Sequence, residues 1–255
     1  MKLPLSHVAA ILLTVTLGAL AAVRVAPTSG RDEPKPPPPD EKIDIAAVAS
    51  PTRPLPAWLK GEGKFIDQGV NDKRLKGYKT PEGIKVEIVA DAPAVINPVG
   101  MTFAPDGTPY VLEWLPSPGD EWRETPEVIK YKDGSERKIA TMKKRVSDNV
   151  KTLASTKQDG VYDKATVILR DELPSSILLH DGWLYLTGRG TVRRFKQSKP
   201  GGDYDVKEIV AQGFCGFHHH QVSGLTIGND GWLYVTSGDD DNYVEGSDGS
   251  RATSR

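Results

Sequence analysis

The sequence predicts an all-β fold, a partial β-propeller, on three observations. A hairpin pattern built on Asp-Gly recurs three times, one interval between copies matches a propeller blade, and no long amphipathic helix interrupts the series. The first copy runs Gly100 to Val111 around Asp106-Gly107, the second Ser176 to Leu186 around Asp181-Gly182, and the third Gly224 to Val235 around Asp230-Gly231. Each copy joins a short apolar strand to a second strand in which Tyr precedes a branched aliphatic residue. Asp and Gly both tolerate positive φ, so the dipeptide suits a tight hairpin whose twist matches its strands.

In chain order, the N-terminus reads as an export signal or membrane anchor over residues 1–24. Lys2 precedes an apolar run of 16 residues, Val8 to Val23, with the small-x-small pattern Ala19-Leu20-Ala21. That run is shorter than the roughly 20 residues a membrane span requires, which favours a cleaved signal over a retained anchor. Residues 25–56 read as a Pro-rich disordered linker. Ten of the 20 prolines lie at or before Pro56, and such a stretch extends without the apolar content to fold. Residues 57–255 are then the propeller domain.

Within it, Ile84 to Ile88 alternates as a strand does, and is expected to close the ring against a later blade. The Asp106–Asp181 and Asp181–Asp230 spacings are 75 and 49 residues. A four-stranded blade takes about 40–50 residues, so the second interval is one blade and the first a blade plus an insertion. The outer hairpin of the first blade is expected at Val128–Tyr131 and Lys138–Met142. The second blade continues through Thr191–Phe195 and Val206–Val210. After Thr236 a polar loop is expected from Asp239 to Ser250, leaving the third blade without its outer strands. The expectation is about two and a half four-stranded blades, the N-terminal part of a longer protein.

Composition narrows the function classes. Lys and Arg number 33 against 34 Asp and Glu, a net charge of −1, which argues against a nucleic-acid partner. A single cysteine rules out a disulfide framework and a Cys-rich metal centre within these residues. Cys215 is expected to pack beside Phe214 as a small apolar residue.

Three of the five histidines fall in Cys215-Gly216-Phe217-His218-His219-His220-Gln221, directly ahead of the third hairpin. In a propeller, loops entering the innermost strands gather at the central channel. A histidine there serves as a general base near neutral pH or as a metal ligand; the alternative is polar surface. Gly238-Asp239 follows the same hairpin, and a carboxylate returning to that mouth would orient His220. Asp239, Asp240, Asp241 and Asn242, with Glu245 and Asp248, carry the oxygen ligands calcium takes, but without a recognisable loop spacing; a solvated acidic loop is favoured. Asp159 and Asp163 resemble the remnant of an Asp-rich calcium turn.

His220-Gln221-Val222-Ser223-Gly224-Leu225-Thr226-Ile227-Gly228, followed by Asp230-Gly231-Trp232-Leu233-Tyr234-Val235 and Gly238-Asp239, resembles the soluble quinoprotein glucose/sorbosone dehydrogenase family. The resemblance implies a six-bladed ring. It also implies His220 as the base that takes a sugar or polyol hydroxyl proton while hydride passes to pyrroloquinoline quinone (PQQ), with Asp239 supporting it. Calcium would accompany the quinone. The wider chain, 79–255, resembles the exported membrane-bound dehydrogenase-like proteins of planctomycete-type bacteria, through Pro81-Glu82-Gly83-Ile84, Pro98-Val99-Gly100-Met101 and Asp159-Gly160-Val161-Tyr162-Asp163-Lys164. That implies a periplasmic or cell-surface location and a C-terminal cytochrome c as electron acceptor. Three positions depart from the dehydrogenase pattern: Gly224 stands where Arg is usual, His219 where an acidic residue precedes the base, and Tyr243-Val244 where a polar cofactor contact is expected. The competing reading is a non-catalytic propeller that binds glycans or protein partners.

Overall fold

The computed structural model describes residues 20–23 (backbone only), 63–115, 126–142, 147–171, 173–217, 221–238 and 241–254. Of the described residues, 63–88 form one compact unit, and 20–23 with those from 89 to 254 form another. Among the described residues the structure is all-β, apart from two single-turn 3-10 helices. No helix of the described residues is long and apolar enough to cross a membrane.

In the first unit, β2 (Phe65–Asp67) pairs antiparallel with β3 (Lys79–Pro81), and the 3-10 turns Gln68–Val70 and Lys73–Leu75 lie between them. Asp67 and Asp72 cap these turns by accepting from Gly69 N and Arg74 N. The expected strand Ile84–Ile88 is absent. Its backbone is claimed by a side chain instead: buried Gln68 donates to Ile84 O at 3.3 Å and accepts from Val86 N at 3.1 Å. Thr80 Oγ1 also donates to Ile84 O, at 2.8 Å. With those groups satisfied locally, no partner strand is needed.

In the second unit, β4 (Pro98–Phe103), β5 (Pro109–Glu113), β8 (Asp148–Ala154) and β9 (Lys164–Asp171) form an antiparallel four-stranded sheet in chain order. The excursion between β5 and β8 contains a separate hairpin, β6 (Glu127–Lys130) and β7 (Glu136–Ile139). The expected outer hairpin is therefore corrected: 128–142 is the insertion, and β8–β9 completes the sheet. Neither segment alternates strictly, so periodicity could not rank them; β8 wins because Val150 is wholly buried between sheets while β6 and β7 stay largely exposed.

The next sheet runs β10 (Ser176–His180), β11 (Trp183–Gly188), β12 (Thr191–Lys196) and β13 (Val206–Gln212). The third hairpin is β14 (Leu225–Ile227) with β15 (Leu233–Thr236). On the far edge of β15, residues Leu20–Val23 (β1) pair antiparallel; the remainder of the expected leader and the expected linker lie outside the described residues. The expected polar loop 239–250 is a second correction. β16 (Asn242–Gly246) and β17 (Arg251–Ser254) form a hairpin that extends the second sheet, through Ala211↔Gly246 and Gln212↔Glu245. The signal passed over was one more Asp-Gly turn, Asp248-Gly249.

The turns also differ from expectation. Of the Asp-Gly turns, only Asp181-Gly182 has both φ positive, at 48° and 74°. At Asp106-Gly107, Asp133-Gly134, Asp230-Gly231 and Asp248-Gly249 only the glycine is left-handed, and each Asp side chain accepts from the N–H two residues on. This is a type I turn closed by a left-handed glycine, and Pro105 at its second position pre-sets the φ.

Alternation along β11 explains how the sheets stack. Leu184 and Leu186 face Leu112 and Val150 of the first sheet, while Tyr185 and Trp183 face Leu233 and Val235 of the third hairpin. A strand buried on both faces reads as an unbroken apolar run, which Trp183-Leu184-Tyr185-Leu186 is. Leu112, Leu184 and Leu186 are wholly inaccessible, each worth about 1.5–3 kcal/mol of burial.

Candidate functional site

His220 and Asp239 lie outside the described residues, as do His218, His219 and Asp240. Their described flanks are held on one another. Asn242 is 2% exposed, and its Oδ1 accepts from Cys215 N, ahead of the histidines, and from Ser237 Oγ, ahead of Asp239, both at 2.9 Å. Its Nδ2 donates to Ser254 Oγ at 3.1 Å. One buried amide thus ties the chain before His218 to the chain on both sides of Asp239.

Neighbouring strands anchor the same segment. Val222 N donates to Cys215 O at 3.1 Å, and Gly216 N donates to Ala140 O at 2.8 Å. Ser175 Oγ donates to Val222 O at 2.5 Å, and Thr187 Oγ1 to Ser223 O at 2.9 Å. The approach needs glycine at 213, where φ is 93° and an added Cβ would lie 2.1 Å from Tyr243 O. Cys215 is buried beside Phe214, as expected.

Two buried polar atoms near this loop have no hydrogen-bond partner among the described residues: the acceptor Gln221 Oε1, on a residue 5% exposed, and the hydroxyl Thr141 Oγ1, whose residue bridges to Gly216. A buried acceptor without a donor costs about 1–3 kcal/mol, and a donor-bearing ligand or water would remove that cost.

The described members of the proposed calcium set have separate tasks. Glu245, 3% exposed, accepts from Lys132 N at 3.1 Å and from Arg251 Nη2 at 3.1 Å. Asp248 caps its turn, and Asn242 makes the contacts above. Asp163 accepts from the Thr156 hydroxyl and N–H, which together hold its carboxyl below the ordinary range. Asp159 accepts from Val161 N and Ser155 Oγ. Among the described residues no group of three or more His, Cys, Asp or Glu side chains could hold a metal ion.

The departures at 224 and 243–244 have physical causes. A Cβ on Gly224 would lie 2.4 Å from Thr236 Oγ1, the atom that accepts from Gly224 N at 2.8 Å. Val244 is buried in the core between the second sheet and the third hairpin. The Tyr243 ring lies under Arg137, 4.2 Å from its guanidinium carbon, and its hydroxyl donates to Asp241 Oδ2 at 3.3 Å.

Asn242 and Glu245 were missed as organising residues because they were read into a loop. The alternation Asn242-Tyr243-Val244-Glu245 ahead of Asp248-Gly249 was the available signal. The fold and these flanks define a class: tandem antiparallel sheets stacked face to face, with polar loops tied together beside the third hairpin. Within that class, residues 71–255 match a family described as a domain of unknown function (DUF7133), and the chain belongs to it. No curated protein matches the chain.

Proposed function

We propose that the stacked sheets are blades of a six-bladed β-propeller, and that the loops bearing His220 and Asp239 take a sugar or polyol. On this reading His220 takes the hydroxyl proton, with Asp239 orienting the imidazole, as in the glucose/sorbosone dehydrogenases this chain resembles. Turnover further requires a bound two-electron acceptor to take the hydride from the same carbon. The observation carrying the reading is the buried Gln221 Oε1, next in sequence to His220, which has no hydrogen-bond partner among the described residues. Polyol hydroxyls are the donors such an acceptor lacks. The contacts of Asn242, from Cys215 to Ser237, support a loop pair held ready for a ligand. An exported protein, periplasmic or on the cell surface and tethered to the membrane, with a cytochrome c acceptor, completes the proposal.

The quinone is a separate matter. At the positions where the resembled dehydrogenases place polar or charged groups, Gly224 has no room for a side chain unless Thr236 moves, and Val244 is buried. These residues do not fit PQQ, so no step is derived through it. They favour the second reading, a propeller that binds glycans or protein partners without turnover.

The test uses the full-length protein with and without PQQ and calcium, measuring sugar binding by calorimetry and dye reduction over a sugar and polyol panel. Binding that weakens in Gln221→Leu, with turnover lost in His220→Ala at unchanged melting temperature, is the expected result. Binding without turnover establishes the second reading. No saturable binding of any sugar or polyol sinks both the oxidation and the glycan-binding proposals.

A further inference from the structure

The β6–β7 hairpin has two edges, and they are treated differently. Tyr131 N donates to Ser135 O, so Tyr131 and Ser135 form a hydrogen-bonded pair at the turn. The register Lys130↔Glu136, Ile129↔Arg137, Val128↔Lys138 then makes Ile129↔Arg137 bonded and the other two pairs non-bonded. The backbone groups of Lys130, Glu136 and Lys138 therefore point away from the hairpin. Three observations agree: Gln212 Nε2 donates to Lys130 O, Lys132 N donates to Glu245, and Gly216 N donates to Ala140 O. The β6 edge is thus engaged by side chains of the second sheet. The β7 edge is engaged at Ala140, while Glu136 and Lys138 have no backbone partner among the described residues.

That open edge lines a cleft of about 490 Å³, formed by Glu136, Arg137, Lys138, Ile139, Ala140, Asp241 and Tyr243. Its charges are unequal. Glu136 is paired with Lys130 at 3.1 Å, and Asp241 receives the Tyr243 hydroxyl. Lys138 has no carboxylate partner among the described residues, and Arg137 is stacked on the Tyr243 ring. The same stack covers a face of that ring, which leaves a poorer platform for a sugar.

We propose that the outer edge of β7 is a strand-accepting site for an extended acidic peptide of a partner protein. The peptide pairs with the backbone of Glu136 and Lys138, and its carboxylates, all on the face of the strand that carries Lys138, meet that ammonium. Main-chain bonds along a free edge supply affinity, and side chains at alternate positions supply specificity. The proposal rests on the backbone of β7 and not on His220 or Asp239, so it is tested separately from the sugar-binding reading.

Fluorescence anisotropy on the full chain tests this, with a labelled alternating valine–glutamate octapeptide and its valine–lysine counterpart. The acidic peptide is expected to bind at least about tenfold more tightly, and to weaken as salt rises. Lys138→Pro deletes an outward N–H without touching a β6–β7 hydrogen bond, and should abolish binding with little change in melting temperature. Lys138→Glu should reverse the preference between the two peptides. Equal affinity for both peptides would overturn the proposal, as would binding retained in Lys138→Pro. So would a peptide-insensitive doubling of mass with concentration, which would give the edge to a second copy. Should Lys138→Pro not fold, hydrogen exchange on the unmodified chain decides: slowing at Glu136 and Lys138 on adding the acidic peptide supports the site, and its absence overturns it.

Discussion

Replacing Asn242 by Ala removes the amide that joins the flanks of the candidate loop pair. Three hydrogen bonds to described residues disappear, to Cys215 N, Ser237 Oγ and Ser254 Oγ, at 2.9, 2.9 and 3.1 Å. Each such bond is worth about 1 kcal/mol net. The serine hydroxyls can rotate towards other acceptors, but the Cys215 N–H cannot, and a stranded buried donor costs about 1–3 kcal/mol. The expected loss is therefore about 2–4 kcal/mol, which for a domain of this size lowers the melting temperature by about 5–15 °C. Scanning calorimetry reads that shift, and hydrogen exchange at residues 213–217 should accelerate more than exchange in β11, which lies deep between two sheets. Asn242→Asp preserves the accepting oxygen and should lose less. A melting temperature for Asn242→Ala within about 1 °C of the unsubstituted chain would refute the assignment of Asn242 as the tie.

Three further outcomes follow from the same geometry. Lys151→Met should cost about 3–5 kcal/mol, because it removes the cation 2.8 Å from the wholly buried Glu113 carboxylate; adding Glu113→Leu should recover part of that loss in urea titrations. Gly213→Ala should be at least as damaging, since its Cβ meets Tyr243 O at 2.1 Å in a left-handed backbone, and soluble yield and melting temperature both report it. Asp133 is held below the usual carboxylate range by the Arg251 guanidinium first, then by the Ser135 hydroxyl and N–H. A depressed folded pKa contributes stability above the unfolded value, and the contribution fades as pH falls through the folded one. The gap in melting temperature between the unsubstituted chain and Asp133→Asn should hold from about pH 5 to 8 and shrink below about pH 4; a gap that widens in acid contradicts the contact.

The three hairpins were legible because each carries its own instructions: an apolar strand, an Asp-Gly turn and a second strand within a dozen residues. Which hairpin completes which sheet was not. Neither Val128–Tyr131 nor Asp148–Ala154 alternates strictly, and the difference lies in what each packs against, Tyr243 for one and Ile177 with Leu184 for the other. Ile84–Ile88 misled for a related reason, since periodicity does not register a glutamine 16 to 18 residues upstream that satisfies the backbone. In the candidate site, His220 and Asp239 came from local pattern and resemblance. Asn242, Ser175 and Thr187 did not, because each acts on a backbone group brought near by folding, 27 to 47 residues away in sequence.

By itself, then, the sequence determined the all-β class, the three turns and the apolar runs of the central strands. These depend on φ preferences and on alternation, which act between near neighbours. Tertiary structure alone decided that 127–139 is an insertion docked on Glu245, that 242–254 extends the second sheet, and that one asparagine ties the flanks of the histidine loop to those of Asp239. Those choices turn on which buried donor meets which acceptor, and that pairing exists only once distant segments share a desolvated space.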